Sequence, residues 1–189
     1  QRTESASAEE SRSDQGWCMA LLQLSPLHLW HMEAVLAIQA KAHANHLLEQ
    51  GEVLHRKMHA ALPEQPLSWG AALAKAPDVL CGYAIACPWQ GGVAPRLDEV
   101  HLPPVHQADC LYVHDIAVDP ACQGKGLAGR LMHQVLQHGR AYGWQQAVLV
   151  AVQGAHQYWS RYGFTAVAAP HAPDLSSFGA NAVWMQRTL

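Results

Sequence analysis

Between residues 110 and 141 the chain reads as an apolar strand, a glycine-rich turn and an amphipathic helix, and that succession limits the folds open to it. Cys110 to Val118 (CLYVHDIAV) is rich in β-branched and aromatic residues and is ended by Asp119-Pro120. Gln123-Gly124-Lys125-Gly126-Leu127-Ala128-Gly129 follows. Leu127, Leu131, Val135 and Tyr142 then line one face of a helix. Glycines at a strand-to-helix turn let the backbone come close to phosphate oxygens, and unpaired N–H groups at the helix start point at them. The turn contains a literal G-x-G-x-x-G (Gly124, Gly126, Gly129). A dinucleotide site also calls for an acidic residue roughly 20 residues on, at the end of the next strand. Gln153 and Gly154 stand there instead, and no Gly-Lys-Ser/Thr ends the turn. The stretch is therefore an anion cradle of another kind, or a turn that merely needs glycine.

The other elements are read from periodicity and turn residues. Trp17 to Leu24 is a first strand stopped by Ser25-Pro26, and Pro26 opens a helix carrying Leu29, Met32, Leu36 and Ile38. A second helix covers Glu52 to Ala61, before Pro63. Trp69 to Ala74 and Val79 to Ala86 form a hairpin across Lys75-Ala76-Pro77-Asp78. Pro88 to Asp109, with prolines at 88, 95, 103 and 104, is a long loop of the kind that is usually functional or disordered. Beyond the glycine turn and its helix come a strand (Gln146 to Val152), a short helix (Ala155 to Tyr162) and two closing strands (Thr165 to Ala168, Ala182 to Gln186). The order β-α-α-β-β-β-α-β-α-β-β predicts a layered α/β domain with a mixed sheet.

Composition narrows the function. The 189 residues suit a single domain over 17–189, preceded by a polar segment, Gln1 to Gly16, that reads as a solvated tail rather than a signal peptide. Net charge is −3, so no basic surplus points to nucleic acid. The 13 histidines outnumber the 12 Lys and Arg, which makes titration near neutrality a feature of the chain. The five cysteines are odd in number and contain no C-x-x-C pair, which suits neither a disulfide framework nor a zinc site and fits a reducing, cytoplasmic compartment. No apolar run approaches the roughly 20 residues of a membrane span.

These residues resemble the GNAT superfamily of N-acetyltransferases. Gln123, Gly126 and Ala128 match its Q/R-x-x-G-x-G/A turn. Asp115 to Pro120 is similar to the aliphatic signature before that turn, and Tyr158 to Phe164 to the aromatic-Tyr-x-x-x-Gly-Phe segment after it. The resemblance is strongest from Cys110 to Val167 and extends by element order back to Trp17. It implies an acyl-CoA N-acyltransferase fold: a mixed, mostly antiparallel sheet with a splayed central strand pair and helices on both faces. It further implies acetyl-CoA as acyl donor and no metal. Ile116, Ala117 and Val118 would pair with the pantetheine arm. Gln123, Gly124, Lys125, Gly126, Leu127, Ala128 and Gly129, extending to Arg130, would hold the pyrophosphate. A backbone N–H near Val118 would polarise the thioester carbonyl.

Amine acetylation needs a base for the ammonium acceptor, and His114 on the central strand is the candidate; it reads equally as a hydrogen-bonded residue of the sheet. In the similar aralkylamine N-acetyltransferases two histidines alternate on this strand, at positions matching Tyr112 and His114. Strand alternation sends Asp115 to the opposite face, in a structural role. The family's proton-donating tyrosine aligns with Trp159. Tyr158, about 100° away on a helix, is the substitute donor, with Tyr162 one turn on and solvent as the remaining option. Glu49, Glu52, Asp98 and Glu99 are candidates to meet a cationic acceptor and Trp89 to stack on one, while Trp30 and Trp69 read as core. His43 with His46, and His55 with His59, have zinc-like spacing but lack a third ligand. The expectation is direct acetyl transfer to a small-molecule primary amine, by a protein compatible with a homodimer. The alternatives are a non-catalytic acyl-CoA-binding module and a protein-lysine or N-terminal acetyltransferase.

Overall fold

Alternating apolar residues and short turns build a seven-stranded sheet in the order β1-β2-β3-β4-β5-β7-β6. The computed structural model describes residues 22–168 and 171–189; the polar segment 1–16 and residues 17–21 of the expected first strand lie outside it. The strands are β1 (Leu22–Pro26), β2 (Trp69–Leu73), β3 (Ala76–Trp89), β4 (Cys110–Val118), β5 (Gln146–Ala151), β6 (Thr165–Ala166) and β7 (Val183–Thr188). The helices are α1 (Met32–Ala42), α2 (Gly51–Met58), α3 (Leu127–Ala141) and α4 (His156–Ser160). The element order matches the sequence reading.

Every neighbouring pair is antiparallel except β4–β5, which is parallel. That pair is joined only at Leu111–Ala147 and Tyr112–Val148, so β4 and β5 part beyond Tyr112. The sheet is covered on both faces. Alternation along β3 sends Ala84 and Ala86 toward Leu131 and Val135 of α3, and Tyr83 and Ile85 toward Val35, Ile38 and Leu54 of α1 and α2. The register of β4 on β3 slips once: Ile85 faces Asp115 and Ala86 faces Val113, leaving His114 as the extra residue of a β-bulge.

Several local expectations change. Pro26 ends β1 opposite Trp69 instead of opening a helix, and α1 begins only after a single 3₁₀ turn, Leu29–His31. Trp69 is buried, but Trp30 is 67% exposed and stacks on His28, because the 3₁₀ turn rotates it off the helical face. Helix α2 is shorter than read from sequence, ending at Met58. Strand β3 runs through Pro88, so Trp89 is a buried strand residue bonded to the Val93 carbonyl and no longer available to stack on a substrate.

Gly82 lies opposite Val118 where β3 crosses the end of β4; a Cβ there would sit 2.9 Å from the Ala117 carbonyl oxygen. Backbone cannot yield as a side-chain tip can. Gly82→Ala should therefore lower unfolding free energy by roughly 1–3 kcal/mol in denaturant titration. An unchanged midpoint would show that the strands have room to spare.

Candidate active site

The splay of β4 from β5 opens a cleft of about 670 Å³. One wall is Ile116, Ala117 and Val118; its floor is the glycine turn and the start of α3; Tyr158, Trp159 and Tyr162 close the far side. Asp119 shapes the entry to the turn, its carboxylate accepting from the Ala121 N–H and from Lys41 of α1. Gly124 and Gly126 adopt positive φ (76° and 67°), and nothing lies within 4 Å of a Cβ built on either, so both face open space. This is the backbone geometry of an anion cradle at a helix N-terminus.

Of the residues proposed for the acyl donor, Ile116, Ala117, Val118, Gln123, Gly124, Gly126, Leu127, Ala128 and Gly129 line this cleft, whereas Lys125 and Arg130 do not. The Arg130 N–H already donates to the Gly126 carbonyl (3.2 Å), and its guanidinium reaches the Leu22 carbonyl of β1, which takes it out of the cradle. Gln123 frames the turn: its N–H closes the 3₁₀ turn at Pro120 and its side chain reaches the Val118 carbonyl.

Behind the cleft, two small lobes of about 50 and 80 Å³ adjoin along β4. Both are lined by His43, His114 and Asp115. The bulge at His114 defeats strict alternation, so Asp115 shares this space instead of facing away from it. Leu47, Leu97 and Phe178 complete the inner lobe.

His114 is fixed by a buried ionic network. Glu49, whose side chain is 2% exposed, accepts from His114 Nε2 on Oε2, and from Lys57 Nζ (2.7 Å) and the Asp98 N–H (2.8 Å) on Oε1. Burial alone would raise the Glu49 carboxyl; His114 and Lys57 together outweigh it and hold the group well below the usual range. A carboxylate has no proton to give, so Nε2 carries a hydrogen, and whenever the ring is neutral its lone pair lies on Nδ1. Nδ1 is the one buried side-chain nitrogen or oxygen without a hydrogen-bond partner among the described residues.

A second carboxylate–histidine pair stands beside the first. Asp115 accepts from Tyr83 Oη (2.6 Å) and from His43 Nε2 (2.8 Å). The Asp115 bond raises the His43 ring above its ordinary value despite burial; burial pushes Asp115 up, but His43 more than compensates and lowers it. Tyr158 and Tyr162 share a hydroxyl contact of 3.1 Å, and burial together with Tyr162 makes Tyr158 hold its proton more tightly than a free tyrosine.

The acceptor-side expectations are reordered. Glu49 does meet a cation, but the protein's own Lys57. Glu52 is exposed and paired with Arg56, Asp98 contributes its N–H instead of its carboxylate, and Glu99 bonds the His101 N–H. His43 pairs with Asp115, and His55 packs against His59; among the described residues no group of three metal-ligating side chains forms. Lys57 escaped notice although it breaks the apolar stripe Val53-Leu54-Met58, and a lysine at such a position signals a buried partner. Among the described residues no helix is long and apolar enough to cross a membrane.

Comparison with known proteins agrees with this architecture. Residues 32–164 match the model of the acetyltransferase (GNAT) family. No curated protein matches the sequence. Among solved structures, the loading GNATL domain of CurA from Lyngbya majuscula is similar with a TM-score of 0.69 at 12% identity, covering 88% of this chain and 97% of that one. The ribosomal-protein-S18-alanine N-acetyltransferase from Escherichia coli gives 0.60 at 18% identity (88% and 93% covered). Arabidopsis thaliana Naa50, in complex with a bisubstrate analogue, gives 0.61 at 10% identity (89% and 99%). The chain belongs to the GNAT acetyltransferase family.

Two predictions follow from the geometry. A side chain at Gly126 must adopt left-handed backbone, at a cost of roughly 1–2 kcal/mol, and it fills the cradle. Gly126→Val should abolish CoA binding in calorimetry while the protein still melts cooperatively; undiminished affinity in the folded variant would sink the assignment. Glu49→Gln leaves Lys57 buried without its counter-ion, a loss of roughly 3–5 kcal/mol. Because the Glu49 value is lowered on folding, its stabilisation is present above the unfolded carboxyl pKa and lost as pH falls through the folded one. Melting curves should show the variant less stable at neutral pH and less acid-sensitive than the parent; parallel curves would refute the network.

Proposed function

We propose that the protein transfers the acetyl group of acetyl-CoA directly to the primary amine of a small molecule. The observation that carries this reading is the buried, unpartnered Nδ1 of His114, on a ring that lines the small pocket directly behind a cleft shaped for an acyl-CoA. The residues present fit such a donor: backbone of Ile116 to Val118 for its arm, and the cleft-lining backbone of Gly124, Gly126 and Leu127 to Gly129 for its pyrophosphate. Acetyl-CoA supplies the acyl group as a thioester. His114 Nδ1 takes a proton from the ammonium acceptor, and Glu49 holds the ring in the tautomer that leaves Nδ1 free. Val118 and the start of the turn present backbone N–H groups to the developing oxyanion.

Direct transfer is favoured because Cys87 and Cys110 are buried, burial pushing the Cys87 thiol up to about 12. Cys122 lines the cleft, and none of the described histidines is hydrogen-bonded to it. A small acceptor is favoured by what narrows the inner lobe. The Leu97 N–H bonds Ser177 Oγ (3.1 Å) and the Asp98 N–H bonds Glu49, which draws the 90–109 loop over the pocket. The two carboxylates at the lobe are already satisfied internally, so recognition falls on shape and on the His114 lone pair more than on a free negative charge.

Release of CoA thiol across a panel of primary amines and short peptides tests the reading. Turnover with small amines supports it; turnover confined to peptides would move the acceptor to protein, and tight CoA binding with no turnover would make the chain a binding module. His114→Ala should lower kcat by roughly 10²–10⁴-fold and remove the limb over which rate rises with pH, since the base must be unprotonated. Retention of that limb would take the base role from His114.

A further inference from the structure

The departing thiolate needs a proton, and the position where the family resemblance expects a tyrosine holds Trp159, whose indole N–H is a hydrogen-bond donor and no practical acid. Tyr158 faces the cleft, but its hydroxyl is engaged with Tyr162. We propose that His43, oriented by Asp115, delivers this proton, so that base and acid reside on two separate carboxylate–histidine pairs.

Position supports the assignment. His43 lines both the acyl-CoA cleft and the two inner lobes, whereas His114 lines the lobes alone. The ring therefore stands where the reacting ends of donor and acceptor meet. Its Nε2 is committed to Asp115 (2.8 Å), which Tyr83 fixes from the other side (2.6 Å), and the second N–H of the imidazolium falls on Nδ1. The groups around it favour the charged ring. Asp115 on β4 is its counter-ion, and Gln153 at the end of β5 is a further hydrogen-bond neighbour. Lys41 on its own helix is drawn to Asp119 (2.7 Å), while Tyr158 and Arg161 line the same cleft. The upward shift of the His43 ring agrees with a donor that is charged before the reaction.

The proposal rests on the acetyltransferase reading, and its proton balance closes. The amine, its ammonium proton already passed through His114 Nδ1 to solvent, attacks the thioester carbonyl, forming the C–N bond and a tetrahedral oxyanion. As the C–S bond breaks, its electron pair goes to sulfur, and the His43 Nδ1 proton moves to that sulfur to give the CoA thiol. The surplus proton on nitrogen passes to His114 Nδ1. Solvent then reprotonates His43 and accepts the proton from His114.

The test compares His43→Gln and Tyr158→Phe with two acyl donors, acetyl-CoA and the acetyl thioester of a nitrophenyl thiol, whose thiolate leaves without a proton. H43Q should lose about 10²-fold or more in kcat with acetyl-CoA, with KM for acetyl-CoA changed by about threefold or less, and should lose little with the aryl thioester. Its pH–rate profile should also lose the limb over which rate falls as pH rises through the His43 titration. Y158F should affect both donors alike, whatever its rate, because no proton is routed through Tyr158. Equal losses for H43Q on both donors, no loss with acetyl-CoA, or a donor-dependent loss in Y158F instead would each overturn the proposal. If the aryl thioester is not turned over, the falling limb decides alone. If H43Q does not melt cooperatively, His43→Asn carries the same expectations. A wild-type protein that binds CoA but acetylates no amine overturns the acetyltransferase reading and this proposal with it, an outcome distinct from an active H43Q.

Discussion

The Glu49 carboxylate is the interaction on which the rest of the site depends. Almost entirely removed from water, it gathers Lys57 of α2, the Asp98 N–H of the 90–109 loop and His114 of β4. Its own backbone is tied to Gln39 of α1, whose side chain accepts from the Glu49 N–H and donates to the Glu49 carbonyl. A buried ion pair returns its desolvation cost only when its remaining donors and acceptors are satisfied. Here each carboxylate oxygen is occupied, so a charged pair can lie beneath an otherwise apolar sheet face. The chemical consequence is the tautomer of the neutral His114 ring: with Nε2 donating to Glu49, its lone pair lies on Nδ1.

The bulge in β4 is the second constraint. One extra residue at His114 turns two consecutive side chains into the same space, which a regular strand cannot do. It also lies beyond the two ladder pairs that hold β4 to β5, where the strands diverge. The same stretch of chain thus opens the cleft, exposes Ile116 to Val118 along its wall and places two carboxylate–histidine pairs at its end. Separation of those pairs gives one ring whose partner is shared with a lysine and another whose carboxylate is shared with a tyrosine.

Sequence made the scaffold legible where local signals and tertiary demands coincide. Cys110–Val118 has the boundaries read from its residue types, and the element order and two-sided sheet follow from periodicity. It misled where a residue's surroundings outrank its type. Pro26 is tolerated in an edge strand, Trp30 sits on a 3₁₀ turn, and β3 continues through Pro88 to bury Trp89. Asp115 was sent to the wrong face because a bulge leaves no trace in one sequence. The Glu49–Lys57–His114 network joins residues far apart in the chain, and only the misfit of Lys57 on an apolar helix stripe hinted at it.

Membership of the GNAT acetyltransferase family follows from a match over residues 32–164, and the three solved structures compared with it, each below 20% identity, share its fold. Within that fold, this chain holds two buried carboxylate–histidine pairs behind the cleft. The most direct test is a two-bond proton–nitrogen NMR spectrum of the nitrogen-15-labelled protein, with His114 assigned by comparison with His114→Ala. Hydrogen on Nε2 and a lone pair on Nδ1 are predicted; a His114 ring protonated on Nδ1 would contradict the account, because no base would then face the acceptor.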